Sequence, residues 1–262
     1  MAHPLIHYKI AIYGTSDIGL VRQNNEDFWA QVPEEQFCAL ADGMGGHQAG
    51  EIAAKEAVSR LCQLFHEQVA SSSKTMEETK RILYVLIQEV NSFIFRMGRE
   101  REMWHGMGTT LCCLCFHPEG LIYGHVGDSR IYRFRRSQLM QLTHDHSLLR
   151  EMLDLGQLNS QQASEFAYKN IITRAIGTEP YVEPSVQNAS VEVEDLFMMC
   201  SDGLTDLLSH DEMEQILSCT PEVEMHKQLV KRAKLRGGYD NITVVLVKVQ
   251  DKYEITTDLP RL

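Results

Sequence analysis

The spacing of apolar residues changes period several times along this 262-residue chain. Residues 8–13 (YKIAIY) show the alternation of a half-buried strand. A polar stretch follows, SDIGLVRQNNEDF, then a short apolar run at 37–41 (FCALA) that stops at DGMGG. From Gly50 to about Val69, Ala53, Ala57, Leu61 and Leu64 fall on one helical face. Serines at 71–73 break that pattern. A second long helix is predicted over 76–97, its turns marked by Ile82, Val85, Leu86, Glu89, Val90 and Phe93. Two long consecutive helices make an αα pair, which needs an apolar layer to lie on.

Strands are predicted at 109–116, 121–126 and 130–134. HPEG joins the first two, and Gly127-Asp128-Ser129 reads as a tight turn between the next two, giving an antiparallel meander. From 144 to about 170 the chain is polar and mostly helical. LFMMC (196–200) is a strand, 205–236 is helical in pieces that part near Pro221, and ITVVLVKV (242–249) is the clearest strand. The polar tail from Asp251 is expected to fray. The lack of regular βα alternation argues against a doubly wound fold. The expectation is an α+β fold of two packed, mainly antiparallel sheets with helices outside each.

Composition narrows the setting. Hydrophobic residues make up 44% of the chain, enough for a sizeable core, and no linker or repeat divides it. The formal net charge of -11 argues against nucleic acid and anionic membranes as partners. It leaves room for a small phosphorylated substrate if bound cations invert the local field. The N-terminus lacks the apolar core of a signal peptide, and no apolar run reaches the length of a membrane span. Seven cysteines, an odd number, suit a reducing compartment. Cys112, Cys113 and Cys115 lie in a strand pattern that sends Cys112 and Cys113 to opposite faces, so they read as small buried hydrophobes.

The chemistry sits where apolar strands end. Asp42-Gly43 follows ALA, Gly127-Asp128 follows GHV, Asp202-Gly203 follows MMCS, and Asp240-Asn241 precedes ITVVLV; Asp27 lies in the loop after the first strand. One Asp-Gly is an ordinary turn. Four such sites against buried strands can bring distant acids together, where carboxylates repel unless hard divalent cations relieve them. Two cations about 4 Å apart activate a water and bind a phosphoryl group. Arg22, five residues before Asp27, is the candidate for the free phosphoryl oxygens. DGMGGHQAG lacks the GK[ST] ending of a P-loop and the spacing of a dinucleotide fingerprint, and HExxH and GxSxG are absent. No cysteine carries an arginine six residues on, so a cysteine-nucleophile phosphatase is unsupported. His144, Asp145 and His146 in LTHDHSL read as a structural turn.

Eight segments in order carry a resemblance. They are SDIGLVRQNNED (16–27), ADGMGGHQAGEIAA (41–54), MGTTL (107–111), GHVGDSRIY (124–132), LTHDHSL (142–148), ITRAIG (172–177), CSDGLTDLL (200–208) and GGYDNITVVLV (237–247). With them the chain resembles the PPM, or PP2C, family of metal-dependent protein Ser/Thr phosphatases in its compact bacterial form. The resemblance implies a four-layer α-β-β-α sandwich in a single domain over 1–262, with a core of about 10–249 and a mobile flap at about 150–170. It implies two manganese or magnesium ions held by Asp27, Asp42, the Gly43 carbonyl, Asp202 and Asp240. A third, weaker ion would sit at Asp128 with Asp202, and Glu26 and Asn241 would stand behind these ligands. Arg22 would bind the substrate phosphate.

The implied function is hydrolysis of phosphoserine and phosphothreonine by a metal-bridging water without a phosphoenzyme. The alternative is a phosphoprotein-binding module without hydrolysis. Expected partners are cytoplasmic phosphoproteins, substrates of a cellular Ser/Thr kinase and the kinase itself. Two departures from the family pattern stand out. Met44 replaces the histidine that follows Asp-Gly in many eukaryotic members, and a thioether cannot donate a proton. Phe166-Ala167-Tyr168-Lys169-Asn170 replaces a segment that usually reads HPxRN.

Overall fold

The computed structural model describes residues 5–45, 49–69, 74–164, 166–168 and 170–255. In chain order its elements are β1 (Leu5–Asp17), β2 (Asp27–Val32), β3 (Phe37–Met44), α1 (Ala49–Val69), α2 (Met76–Glu100), β4 (Gly108–Thr109), β5 (Leu111–His117), β6 (Gly120–Val126), β7 (Arg130–Arg135), β8 (Gln138–Gln141), α3 (Leu148–Asp154), α4 (Ser160–Ser164), β9 (Ser185–Ala189), β10 (Leu196–Cys200), α5 (Asp202–Thr205), α6 (His210–Cys219), α7 (Glu222–Leu235) and β11 (Ile242–Ile255). One sheet runs β1-β11-β10-β7-β8. The other runs β2-β3-β5-β6-β9, with β4 on β3. Their ladders are antiparallel.

Alternation along the apolar strands sorts side chains into three apolar layers. In β5, Leu111, Cys113 and Cys115 pack with α1 and α2. Cys112, Leu114 and Phe116 point the other way, into the space between the sheets. In β10, Leu196, Met198 and Cys200 join α6 and α7, while Phe197 and Met199 meet the opposite sheet. The same division runs through β11, with Val244 and Leu246 on the helix side and Val245, Val247 and Val249 between the sheets. Four layers result, helices outside and sheets inside.

Helix α1 buries Ala53, Ala57, Leu61 and Leu64 as its spacing predicts, and its Phe65 ring stacks on Phe37 of β3 at 4.1 Å between centroids. Full burial of one such side chain contributes about 1.5–3 kcal/mol. A capping box at Thr75 and Glu78 starts α2. Its buried face is Leu83, Leu86, Ile87, Val90 and Ile94, so Val85, a predicted turn marker, faces solvent at 53% exposure. All seven cysteines are free thiols, with only Cys219 exposed.

Three expectations need correction. The turn at 127–129 does not close a meander: β6 pairs with β5 and β9, whereas β7 pairs with β10 and β8. The turn therefore carries the chain from one sheet to the other. The tail does not fray at Asp251, because residues up to Ile255 pair with β1 back to Leu5; main-chain ladder bonds do not require apolar side chains. Asp27 is not in a loop but opens β2, a strand hidden at the end of a polar stretch. The serine break at 71–73, Lys169 and the tail beyond 255 lie outside the described residues. Among the described residues no helix is long and apolar enough to cross a membrane.

Candidate functional site

The antiparallel register of β2 and β3 sets Asp27 directly opposite Asp42. Asp202 begins α5 immediately after β10 and Ser201. Asp240 stands two residues before β11, the central neighbour of β10. Asp128 sits in the crossover between sheets. Five separate chain segments thus deliver acids to one end of the sandwich.

Their proximity registers in their protonation. Burial, followed by the field of Asp27, Asp202, Asp128 and Asp240, holds the Asp42 carboxyl well above the usual range. Burial pushes Asp27 up to about 7, with Asp202 and Asp240 adding to the rise. Burial and then Asp206 and Asp240 raise Asp202 to about 6. Burial and Asp202 raise Asp128 to about 7. Each carboxylate makes ionisation of the next more costly. Among the described residues, no three His, Cys, Asp or Glu side chains form a ready-made cage around a point.

Short hydroxyl side chains fix the acids. Ser201 Oγ donates to Asp27 Oδ2 at 2.7 Å and accepts from the Thr243 amide at 2.9 Å, tying β2 to β10 and β11. Asp27 Oδ1 is buried with no partner. The Asp42 amide donates to Thr110 Oγ1 at 2.9 Å, and that oxygen lies 2.7 Å from Ser129 Oγ, next to Asp128. The Asp42 strand and the crossover are therefore linked through two hydroxyls. Sequence reasoning missed Ser201 and Thr110; their only signal was a small hydroxyl residue beside, or in register with, an acid.

Glycine makes the close approach of β3 and α1 possible. A Cβ on Gly43 would lie 2.1 Å from the Gly50 oxygen and 2.8 Å from the Glu26 oxygen. Glu26, which burial raises above its usual pKa, accepts from Asn24 Nδ2 at 3.0 Å. Asn241 is buried and spans the loop: its Oδ1 accepts from the Glu26 amide at 2.8 Å, and its Nδ2 donates to the carbonyls of Ile18 and Asn24, each at 3.0 Å. Arg22, at the rim, donates to Asp240 Oδ2 at 2.6 Å.

Asp128 and Asp202 share a cavity of about 150 Å³ with Asp206, Asp145, Arg130 and Asn170. His146 clasps the crossover from behind: its amide donates to the Gly127 carbonyl at 3.0 Å, and its Nδ1 accepts from the Gly127 amide at 3.2 Å. Burial lowers His146 to about 3, so the ring is a neutral acceptor. Arg130 donates to Asp145 Oδ2 from Nη2 at 2.7 Å and from Nε at 2.9 Å. In LTHDHSL, His146 thus holds the Asp128 crossover through Gly127. Met44 ends β3 opposite Gly108. Phe166 and Tyr168 meet edge to face, their ring centroids 5.9 Å apart.

Comparison with known proteins identifies the family and the fold. The family model for protein phosphatase 2C matches residues 15–234. Protein phosphatase PhpP of Streptococcus pneumoniae is 37% identical over 241 residues, covering 90% of this chain and 96% of that protein. The structure of the S. agalactiae serine/threonine phosphatase superposes with a TM-score of 0.85 at 36% identity, covering 92% of this chain and 100% of that one. The catalytic domain of the serine/threonine protein phosphatase PstP, in complex with 2 manganese ions, superposes with a TM-score of 0.81 at 32% identity over 92% of this chain and 99% of that one.

Proposed function

The chain belongs to the protein phosphatase 2C family of serine/threonine phosphatases, and on that premise we propose how its residues divide the hydrolysis of phosphoserine and phosphothreonine. The observation that carries the reading is the convergence of Asp27, Asp42, Asp202 and Asp240 from separate strand ends, with Arg22 reaching Asp240.

Divalent cations, manganese or magnesium, suit Asp27, Asp42, the Gly43 carbonyl, Asp202 and Asp240, and a third, weaker one suits Asp128 with Asp202. The donor set is all oxygen, as hard cations require. The unpartnered, buried Oδ1 of Asp27 and the raised carboxyl pKa values describe a site that gains from positive charge. When bound, such cations let the carboxylates ionise together and activate a water for attack on phosphorus. The PstP structure with manganese supports this choice of ion.

The chain's own groups do the rest. Arg22 is half exposed, and an exposed ion pair is worth only about 0–1 kcal/mol. Its guanidinium can leave Asp240 for phosphoryl oxygens at little cost. Glu26, steadied by Asn24 and by the Asn241 bond to its own amide, holds a water behind the acids. Met44 has no proton to give, so the leaving oxygen takes its proton from water in the Asp128–Asp202 cavity. Water attacks directly, without a phosphoenzyme. No buried cysteine serves as nucleophile: burial pushes Cys113 and Cys200 up to about 12. The segment 150–170 acts as the flap and shapes peptide selectivity. The chain works as a single domain over 1–262 on cytoplasmic phosphoproteins, substrates of a Ser/Thr kinase and the kinase itself.

The test is phosphate release from phosphoserine, phosphothreonine and phosphotyrosine peptides, with manganese and with chelator. Turnover of the first two that vanishes with chelator is expected. Undiminished turnover in a metal-stripped sample overturns the reading.

A further inference from the structure

A second cavity lies outside the site described above. A groove of about 490 Å³ runs between the end of β1 and α7, lined by Thr15, Asp17, Leu20, Val230 and Leu235 together with lysines 227, 231 and 234. Two features set it apart from the rest of the surface. The first is charge: three lysines against one aspartate line the groove, in a chain whose net charge is -11. Lys234 pairs with Asp17 at 2.8 Å and Lys227 with Glu224 at 3.0 Å, while Lys231 is exposed and has no ion-pair partner among the described residues.

The second feature is apolar exposure. Leu20 and Leu235 are 62% and 71% exposed, and Val21, next to Leu20, and Tyr239, four residues after Leu235, are exposed to a similar degree. The loop that holds Leu20 is fastened to the turn after α7, because the Leu20 amide donates to the Gly238 carbonyl at 2.7 Å. Exposed apolar residues scattered singly need no explanation, but a cluster over a groove does.

The groove also has a direction. Gly19, next to Leu20 in the chain, packs so tightly on Asp240 that a Cβ there would lie 2.2 Å from the Asp240 oxygen, so the Leu20 end of the groove lies toward the Asp240 that pairs with Arg22. We propose that this groove docks an acidic-apolar segment of the phosphoprotein substrate, next to the phosphorylated residue itself. Leucine-type side chains would settle against Leu20, Val230 and Leu235, and a carboxylate would pair with Lys231. Charge complementarity selects this partner: an acidic peptide is repelled by the chain's net charge of -11 and attracted by the lysines here. The proposal rests on the phosphatase reading, and it adds that protein substrates are recognised by a tract beyond the phosphoresidue.

The test separates docking from catalysis. Phosphothreonine peptides carrying a Glu-Leu-Glu-Leu tract on the N-terminal or the C-terminal side are compared with a Lys-Ser control and with an aryl phosphate. Lys231→Glu and Leu235→Ser are both exposed and leave the core intact. One acidic-apolar peptide should exceed the control about tenfold in kcat/KM, carried by KM, which is the size expected for one well-buried apolar contact. Each variant should remove most of that preference and leave aryl phosphate turnover unchanged. Fluorescence anisotropy of the same tract without phosphate, in chelator, should show binding to the wild-type chain and weaker binding to both variants. That arm reads docking even in a chain that hydrolyses nothing, so its failure is distinct from failure of the phosphatase reading. Equal kcat/KM on all peptides, or a preference that survives both variants, overturns the proposal. So does binding of anionic vesicles in place of the tract, or a concentration-dependent dimer that Leu235→Ser dissolves.

Discussion

Asp27 and Asp42 face each other across the β2–β3 ladder, and one oxygen of Asp27 is buried without a partner. Like charges in this position weaken a sheet, and burial makes each harder to ionise. The ladder's main-chain bonds, the Ser201 donor and the Thr110 acceptor hold them there all the same. Groups kept against their own electrostatic preference cluster at functional sites.

Removing one of these charges therefore separates stability from function. Asp27→Asn keeps an oxygen for Ser201 and removes the repulsion. In chelator it should melt above the wild type, by about 1 kcal/mol, and it should lose phosphatase activity. Added manganese should stabilise the wild type more than the variant. Thermal denaturation with and without manganese decides it; a variant that melts lower in chelator and gains equally from manganese contradicts the role given to Asp27.

Arg22→Ala should leave the acids in place and weaken capture of the phosphoryl group. Loss of one charged hydrogen bond costs about 1.5–3 kcal/mol, so kcat/KM on phosphopeptides should fall about ten- to a hundredfold, mostly through KM. Unchanged steady-state kinetics would refute the assignment.

Asp128→Ala addresses the proton for the leaving oxygen. The fold and the tighter metal binding should survive, because Asp128 sits in the crossover rather than on the β2–β3 ladder. Turnover should drop most for phosphoserine, a poor leaving group, and least for an aryl phosphate, which needs less protonation. Calorimetric titration with manganese, run beside both rates, checks this. Loss of tight binding would place Asp128 with the main centre, and no change in either quantity would reduce it to a turn residue.

Asn241→Ala should destabilise the chain. Its side chain makes three hydrogen bonds from a buried position to the 18–26 loop, and stranding the Ile18, Asn24 and Glu26 backbone groups costs about 2 kcal/mol or more. Denaturant unfolding should show that loss together with weaker phosphopeptide capture, since Arg22 rides on the same loop. A variant as stable as wild type would show that water replaces the amide without cost.

Much of this was legible in the chain. LCCLCF, LFMMC and ITVVLVKV read as strands, the alternation in the first sent Cys112 and Cys113 to opposite faces, and the apolar stripe of α1 matched its buried face. The acids at strand ends were visible too, because Asp-Gly after a buried run is a local signal. Strand β2 was hidden, since its residues DFWAQV are half-buried and continue a polar loop. So were β8 and β9, whose pattern is too polar to separate from their surroundings.

Local periodicity sets the strongly patterned elements and the acids that stand beside them. The place of Asp128 follows from long-range pairing instead. Gly127-Asp128-Ser129 reads as a hairpin turn between two apolar strands, yet β6 and β7 join different sheets and the turn crosses between them. Periodicity reports which face of a strand is buried, and it comes from residues two apart. Which strand lies alongside depends on partners far off in the chain, β9 for β6 and β10 for β7, and on the hydrogen bonds from Gly127 to His146 that hold the crossing. Those pairings satisfy main-chain groups that every residue carries alike, so no local pattern of side chains can encode them.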